Sequence, residues 1–157
     1  MDKKMFCFQC EQTVGCAGCT GNAGVCGKKA DTARLQDELT GALIGLARAV
    51  DSTTAISKRT GQIIIEGLFT TVTNVNFDDV SIENMIQKVR AEKERLVPDC
   101  SKCQSSCGKT DEYDMQQLWN ANEDIRSLKS LILFGIRGMA AYAYHANVLN
   151  YEDTEVN

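Results

Sequence analysis

Residues 31–49 read Asp31-Thr32-Ala33-Arg34-Leu35-Gln36-Asp37-Glu38-Leu39-Thr40-Gly41-Ala42-Leu43-Ile44-Gly45-Leu46-Ala47-Arg48-Ala49. Leu35, Leu39, Ala42, Leu46 and Ala49 recur at the spacing that lines up one face of an α-helix. Asp31 or Thr32 is placed to cap its start. A second apolar stripe runs through Ile64, Leu68 and Val72, with Ile65 and Phe69 beside it. Residues 63–65 are β-branched enough for a strand, yet they lie inside a longer helical period. Residues 74–79 form a turn rich in capping side chains and lead into Ile82, Met85, Ile86, Val89 and Leu96. Pro98 closes that helix, because proline cannot continue the hydrogen-bond ladder. Residues 111–119 fit a short helix, and Asn122 then reads as an N-cap with Glu123 and Asp124 in the first turn. The long helix after it carries Ile125, Leu128, Ile132, Gly135, Met139 and Tyr142 or Ala143. Gly135, Gly138, Ala140, Ala141 and Ala143 make part of it small-sided, which permits close approach of a neighbouring helix. No strand alternation or hairpin dipeptide competes, so the fold class is all-α, an antiparallel bundle of the three-helix type.

Working outward, three segments emerge. Residues 1–30 are rich in Cys, Gly and Thr, lack apolar periodicity, and read as a loop wrapped around something other than a hydrophobic core. Residues 31–149 are the helical bundle, with a Cys-rich loop at 98–110. Residues 150–157 resemble the start of a further, truncated helix, with Glu152 and Asp153 in its first turn. The 157 residues suffice for one domain with a real core. A net charge of −4 leaves no electrostatic footprint for nucleic acid or an anionic membrane. No apolar run is long enough to span a bilayer, and residues 1–6 open no secretory signal because Cys7 follows at once. The expected compartment is the reducing cytosol.

The eight cysteines are the unusual feature, and they fall in two windows. Cys7, Cys10, Cys16, Cys19 and Cys26 lie in the first; Cys100, Cys103 and Cys107 lie in the second. Disulfides that staple a secreted domain would be spread out, whereas clustered cytosolic thiols more often bind metal. Thiolates suit zinc, iron–sulfur clusters or copper(I), and four ligands are usual for the first two. Cys7, Cys10, Cys16 and Cys19 would make a compact zinc knuckle. Cys7, Cys10, Cys19 and Cys26 leave wider loops, better suited to a bulky cluster. Gly15, Gly18, Gly21, Gly24 and Gly27 let backbone amides turn towards sulfur, which favours an anionic cluster. Cys26 also lies just ahead of the first helix, whose positive end stabilises thiolates. Spacing alone leaves both metals open.

Longer stretches narrow the choice. Met5-Phe6-Cys7-Phe8-Gln9-Cys10-Glu11-Gln12-Thr13, Gly18-Cys19 and Gly24-Val25-Cys26-Gly27-Lys28 resemble the N-terminus of the hybrid cluster (prismane) proteins. Leu35-Gln36-Asp37, Gly67-Leu68-Phe69, residues 73–79, residues 122–128 and residues 135–146 are similar too, so the resemblance covers nearly the whole chain. It implies that Cys7, Cys10, Cys19 and Cys26 hold a [4Fe-4S] or [2Fe-2S] cluster, with Cys16 additional. It also implies hydroxylamine or nitric oxide reduction at a second, hybrid iron–sulfur–oxygen centre held by Cys, His and Glu of later α/β domains. With one histidine in the sequence, that second ligand set cannot be assembled here. The expectation is therefore an N-terminal electron-transfer domain, a fragment or split subunit. It would take electrons from a redox protein and pass them to the remaining α/β domains, without catalysis of its own. The rival is a small helical zinc-binding interaction module.

Cys16 with Cys100, Cys103 and Cys107 could form a second metal site; free thiols or a redox-sensitive surface loop are the plainer alternatives. His145 reads as a helix-face residue, since no second histidine exists to complete a site. Trp119 and Tyr142 could flank an electron path, but packing accounts for both. Asp78 and Asp79 read as helix-start residues rather than as an acid–base pair. No phosphate-binding GxxxxGK[ST] is present, and no Ser/His/Asp set is plausible.

Overall fold

Four of the helices begin where a short polar side chain can take up a free backbone amide. The computed structural model describes residues 4–10, 18–50, 56–97 and 112–153, and these contain α1 (Ala30–Ala49), α2 (Lys58–Thr70), α3 (Asp79–Leu96), α4 (Met115–Trp119) and α5 (Glu123–Val148). Ser57 accepts from the Thr60 amide, Asp78 from Val80, Asp114 from Gln116 and Asn122 from Asp124, at 2.9–3.1 Å. Each such cap satisfies a donor that the helix itself leaves free, for about 1 kcal/mol. α1 departs from the expectation of an Asp31 or Thr32 cap. It begins two or three residues earlier, at Ala30, with Lys29 at the cap position and no side-chain bond. Thr32 Oγ1 instead donates to Asp79 Oδ1 at 2.6 Å, tying the starts of α1 and α3 together.

The apolar stripe of α1 meets α2 and α3. Leu35, Leu39, Ala42, Leu43 and Leu46 are buried against Ile63 of α2 and Ile82, Met85, Ile86 and Val89 of α3. Each fully buried Leu or Ile contributes roughly 1.5–3 kcal/mol. Ile64, Leu68 and Leu96 sit at the edge of this core rather than in it. The buried line of α2 runs through Thr60, Ile63 and Ile65, and Val72 lies beyond the helix. Polar pairs show the helix directions. Thr32 with Asp79 and Glu38 with Arg90 make α1 and α3 run the same way. Thr60 with Glu92 and Glu66 with Lys88 make α2 run opposite to α3. This is the up-down-up order of a three-helix core.

α5 adds a fourth long helix against α2, antiparallel to it. Phe69 stacks on Tyr144 with centroids 4.5 Å apart, and Gln62 near the start of α2 reaches Glu152 beyond the end of α5. Ile136, Ala140 and Ala143 face Ile64, Ile65 and Leu68 across the contact. The stripe of α5 that reads as a core face points outward instead: Leu128 and Ile132 are each 62% exposed, Met139 63% and Tyr142 84%. Gly135 and Gly138 also face open space, so no helix approaches them among the described residues. Helical period shows that a helix has an apolar face, but not which neighbour covers it. Tyr142 is accordingly not accounted for by packing.

The segment leading into α4 clamps onto α1. Tyr113 donates its backbone amide to the Gly41 carbonyl at 3.2 Å, and a Cβ on Gly41 would lie 2.3 Å from the Tyr113 carbonyl oxygen. α3 ends at Leu96 with Val97 as its cap, in the place that Pro98 requires. The expected helix start at 150–157 is not formed in its described part: residues 151–153 are non-helical, after Asn150 at φ +61°. Among the described residues no helix is long and apolar enough to cross a membrane.

Glu92 joins the ends of α2 and α3 and is fully buried. Its carboxylate accepts from Thr60 Oγ1 at 2.7 Å and from Arg95 at 2.6 and 3.0 Å, with Arg59 at 3.2 Å. The Arg95 hydrogen bonds, then Thr60 and the neighbouring guanidinium charges, hold its pKa down at about 2. A carboxylate depressed in this way stabilises the fold above the unfolded-state pKa, and that contribution is lost as pH falls from about 4.5 towards 2. Arg59 and Arg95 are half or more exposed, so solvent screening reduces the contribution to about 2 kcal/mol. Glu92→Gln is expected to lower neutral-pH stability by about this amount and to flatten that acid limb, as read by urea unfolding from pH 7 to pH 2.5.

Candidate metal centre

The N-terminal segment is held to the 18–29 loop by one short backbone pairing. The Cys7 amide donates to the Cys19 carbonyl at 3.1 Å and the Cys19 amide donates back at 2.7 Å. Gly18, at φ +83°, makes this fit: a Cβ there would lie 3.2 Å from both the Cys7 carbonyl oxygen and the Phe6 ring. A second tight turn follows, with the Gly24 amide donating to Lys28 O and the Gly27 amide to Gly24 O, both at 2.8 Å. That turn sets the Cys26 sulfur and the Met5 methyl on the same side of Gly24, where a Cβ would lie 3.4 and 3.3 Å from them. Met5, Cys7 and Ala33 form a small second core, with Cys19 and Ala30 packed against it.

The loop thus brings Cys7, Cys19 and Cys26 to one lobe at the start of α1. Cys10 stands half-buried at the end of the described N-terminal stretch. All four are free thiols. Among the described residues no group of three or more Cys, His, Asp or Glu side chains converges tightly enough to hold a single metal ion. Cys16, Cys100, Cys103 and Cys107 lie outside the described residues.

Charge supplies the firmest test of what this lobe accepts. Lys28 is 2% exposed, and its Nζ lies 4.0 Å from Cys7 Sγ. The same ammonium donates to Gln9 Oε1 at 2.7 Å, and Gln9 Nε2 donates onward to Asp37 Oδ1 at 2.6 Å. Arg137 of α5 is 6% exposed and, among the described residues, hydrogen-bonds to hydroxyls, Thr71 Oγ1 at 3.0 Å and Thr40 Oγ1 at 2.9 Å. Among the described residues, the buried cations Lys28 and Arg137 act on one half-buried carboxylate, Asp37, with Asp114 near enough to oppose its ionisation. Burial pushes the Asp37 carboxyl up to about 6, against the pull of the Gln9 hydrogen bond and of Arg137 and Lys28. Burial also pushes the Cys7 thiol up, while the Gln9 amide and Lys28 pull it down. With neutral thiols the lobe keeps an excess buried positive charge, which is costly. Thiolates bound to a metal group supply the missing negative charge, so the donor set and its surroundings fit an anionic thiolate centre.

Residues 5–157 match the Prismane/CO dehydrogenase family. The chain belongs to that family. It is 39% identical to the hydroxylamine reductase of Methanococcus vannielii over 97% of this chain and 31% of that protein. It is 40% identical to the hydroxylamine reductase of Porphyromonas gingivalis over 100% of this chain and 32% of that protein. For the Clostridium perfringens hydroxylamine reductase the figure is 37%, over 98% of this chain and 32% of that protein. The chain thus spans about a third of the length of these relatives. No solved structure matches it.

Within this prismane-family chain an aromatic wall closes one side of the lobe. Phe6 and Phe8, on either side of Cys7, contact Trp119 at centroid distances of 5.2 and 5.0 Å, and Arg126 lies over the same indole at 4.7 Å. Packing does account for Trp119. His145 is exposed and meets Phe69 edge-on at 5.3 Å, a helix-face position. Asp78 caps α3, and Asp79 takes the Thr32 hydroxyl, as helix-start residues do.

Gln9, Lys28, Asp37 and Arg137 went unrecognised in the sequence. Two of them carried a signal: Asp37 lies four and seven residues beyond Ala33 and Ala30 on one helix face, and Arg137 interrupts a run of small residues. Gln9 and Lys28 lie in aperiodic loops, where nothing marks burial. A carboxyl whose folded-state pKa is raised weakens the fold as it ionises, here between about pH 4 and pH 6. In the metal-free chain, Asp37→Asn is expected to abolish that part of the stability–pH slope, as measured by thermal melts across the interval.

Proposed function

We propose that this chain is the iron–sulfur electron-transfer domain of a hydroxylamine-reductase-type protein. Cys7, Cys10, Cys19 and Cys26 hold the cluster, [4Fe-4S] in the first instance and [2Fe-2S] as the alternative. The observation that carries this reading is the buried Lys28 ammonium 4.0 Å from Cys7 Sγ, in a lobe whose four described thiols are all free. Such a cluster supplies reversible one-electron storage. The chain's own residues do the rest. The Cys7–Cys19 pairing and the turn at 24–28 place the sulfurs, Lys28 and Arg137 balance their charge, and Phe6, Phe8 and Trp119 exclude water from one side. The zinc-module reading has less support, because the family is Prismane/CO dehydrogenase and the relatives the chain matches are hydroxylamine reductases.

A protein of the relatives' length would carry further domains, and catalysis at a hybrid cluster belongs to those. The outward stripe of α5, with Leu128, Ile132 and Met139 exposed, supports a packing surface for them. An external redox protein is the electron source, and the reducing cytosol is the compartment in which free thiols and such a cluster persist.

The chain purified without air is expected to be brown, with visible absorption that bleaches on dithionite. Emission from its single tryptophan, Trp119, should be quenched relative to the apoprotein. Cys7→Ser and Cys19→Ser should each abolish the colour while leaving helical circular dichroism in place, since the α1–α3 core contains no thiol. A colourless, zinc-containing wild-type chain would overturn the reading.

A further inference from the structure

Lys28 is placed unlike an ordinary surface lysine. Its side chain runs inward from the turn at 24–28, and its ammonium is fixed by three neighbours: Gln9 Oε1 at 2.7 Å, Cys7 Sγ at 4.0 Å and the Phe77 ring at 5.9 Å. The Gln9 amide is itself held, donating to Asp37 Oδ1 at 2.6 Å and to the Ala33 carbonyl at 3.3 Å. Thr73 Oγ1 donates to the Gln9 carbonyl at 3.4 Å, bringing the end of the α2 segment into the same lock. A lysine that served only to close the turn would gain nothing from burial, since desolvating an ammonium costs several kcal/mol. A structural role needs no charge at this depth.

We propose that Lys28 is a positioning residue that fixes a buried positive charge against the Cys7 thiolate and thereby raises the reduction potential of the iron–sulfur group held there. The proposal rests on the cluster reading above. Gln9 sets where the charge sits, and Asp37, one residue further along the same chain of bonds, opposes it. The one-electron reduction adds negative charge beside Lys28, so a cation favours the reduced form and a carboxylate disfavours it. The electron comes from an external donor, dithionite in the test; no bond is made or broken and no proton moves. At a separation of several ångströms and an effective dielectric near 20, one buried charge shifts the reduced-to-oxidised ratio by about ten- to a hundredfold. For a single electron, tenfold corresponds to about 59 mV.

The test is a redox titration, followed by electron paramagnetic resonance, on anaerobically purified wild-type, Lys28→Met, Lys28→Gln, Lys28→Arg and Asp37→Asn chains. Lys28→Met and Lys28→Gln are expected to cut the reduced-to-oxidised ratio at fixed potential by about tenfold or more. Lys28→Arg should stay within about threefold of wild type, and Asp37→Asn should move the ratio the opposite way. Loss of the cluster in the two neutral variants with retention in Lys28→Arg also supports the proposal, since charge is then what the site requires. Unchanged potentials in cluster-bearing neutral variants overturn it and leave the cluster reading standing. Loss of the cluster in every Lys28 variant, arginine included, overturns it too, because shape rather than charge would be the requirement. A wild-type chain with no cluster removes the reading of function itself, and this proposal with it.

Discussion

Gln9 holds a buried ammonium and a half-buried carboxylate through the two ends of one side-chain amide. Lys28 donates to its oxygen at 2.7 Å, and its nitrogen donates to Asp37 at 2.6 Å. Water would solvate both charges better than a protein interior does, so the arrangement persists only because each is bonded in place. The consequences run in both directions along the chain. The bonds draw residues 5–9 and the 24–28 turn onto the first turns of α1, and they set the Cys7 sulfur beside a fixed cation. Arg137 brings a second cation from α5, anchored among the described residues to the hydroxyls of Thr40 and Thr71. An interior with this surplus of positive charge is suited to anionic sulfur.

The helical scaffold gives that lobe a fixed point of attachment at the start of α1. The α1–α3 core is apolar and separate from the thiols, so it can hold the start of α1 in place whether or not a metal group is bound. Glu92 and Thr60 lock one end of the bundle, while Thr32 and Asp79 lock the other. α5 differs in kind. Its inward side gives Arg137 and Ala140 to the interior, and its outward side carries a periodic apolar stripe. That stripe is the surface on which the proposed function seats further domains.

How much of this could be read beforehand depended on the physical signal each element carries. Helices α1 and α3 were legible because one face is apolar at helical spacing, and the Asp78 and Asn122 caps because short polar side chains precede that spacing. The start of α1 was misplaced: Lys29 cannot cap, and the helix begins there without a side-chain bond. The outward turn of the α5 stripe was invisible, since periodicity identifies a face and not its neighbour. The family was legible from the cysteine motif together with matches along the chain. The charge network was not, because Gln9 and Lys28 sit in loops whose burial no local pattern encodes.

In the proposed function an anionic iron–sulfur group, not a single metal ion, completes the Cys7–Cys26 lobe. Iron, zinc and acid-labile sulfide analysis of the anaerobically purified chain, with its Mössbauer spectrum, tests this most directly. Iron and sulfide are expected in equal amounts, about four of each per chain for a [4Fe-4S] cluster or about two for [2Fe-2S], with a matching cluster spectrum. About one zinc per chain with no acid-labile sulfide would contradict it.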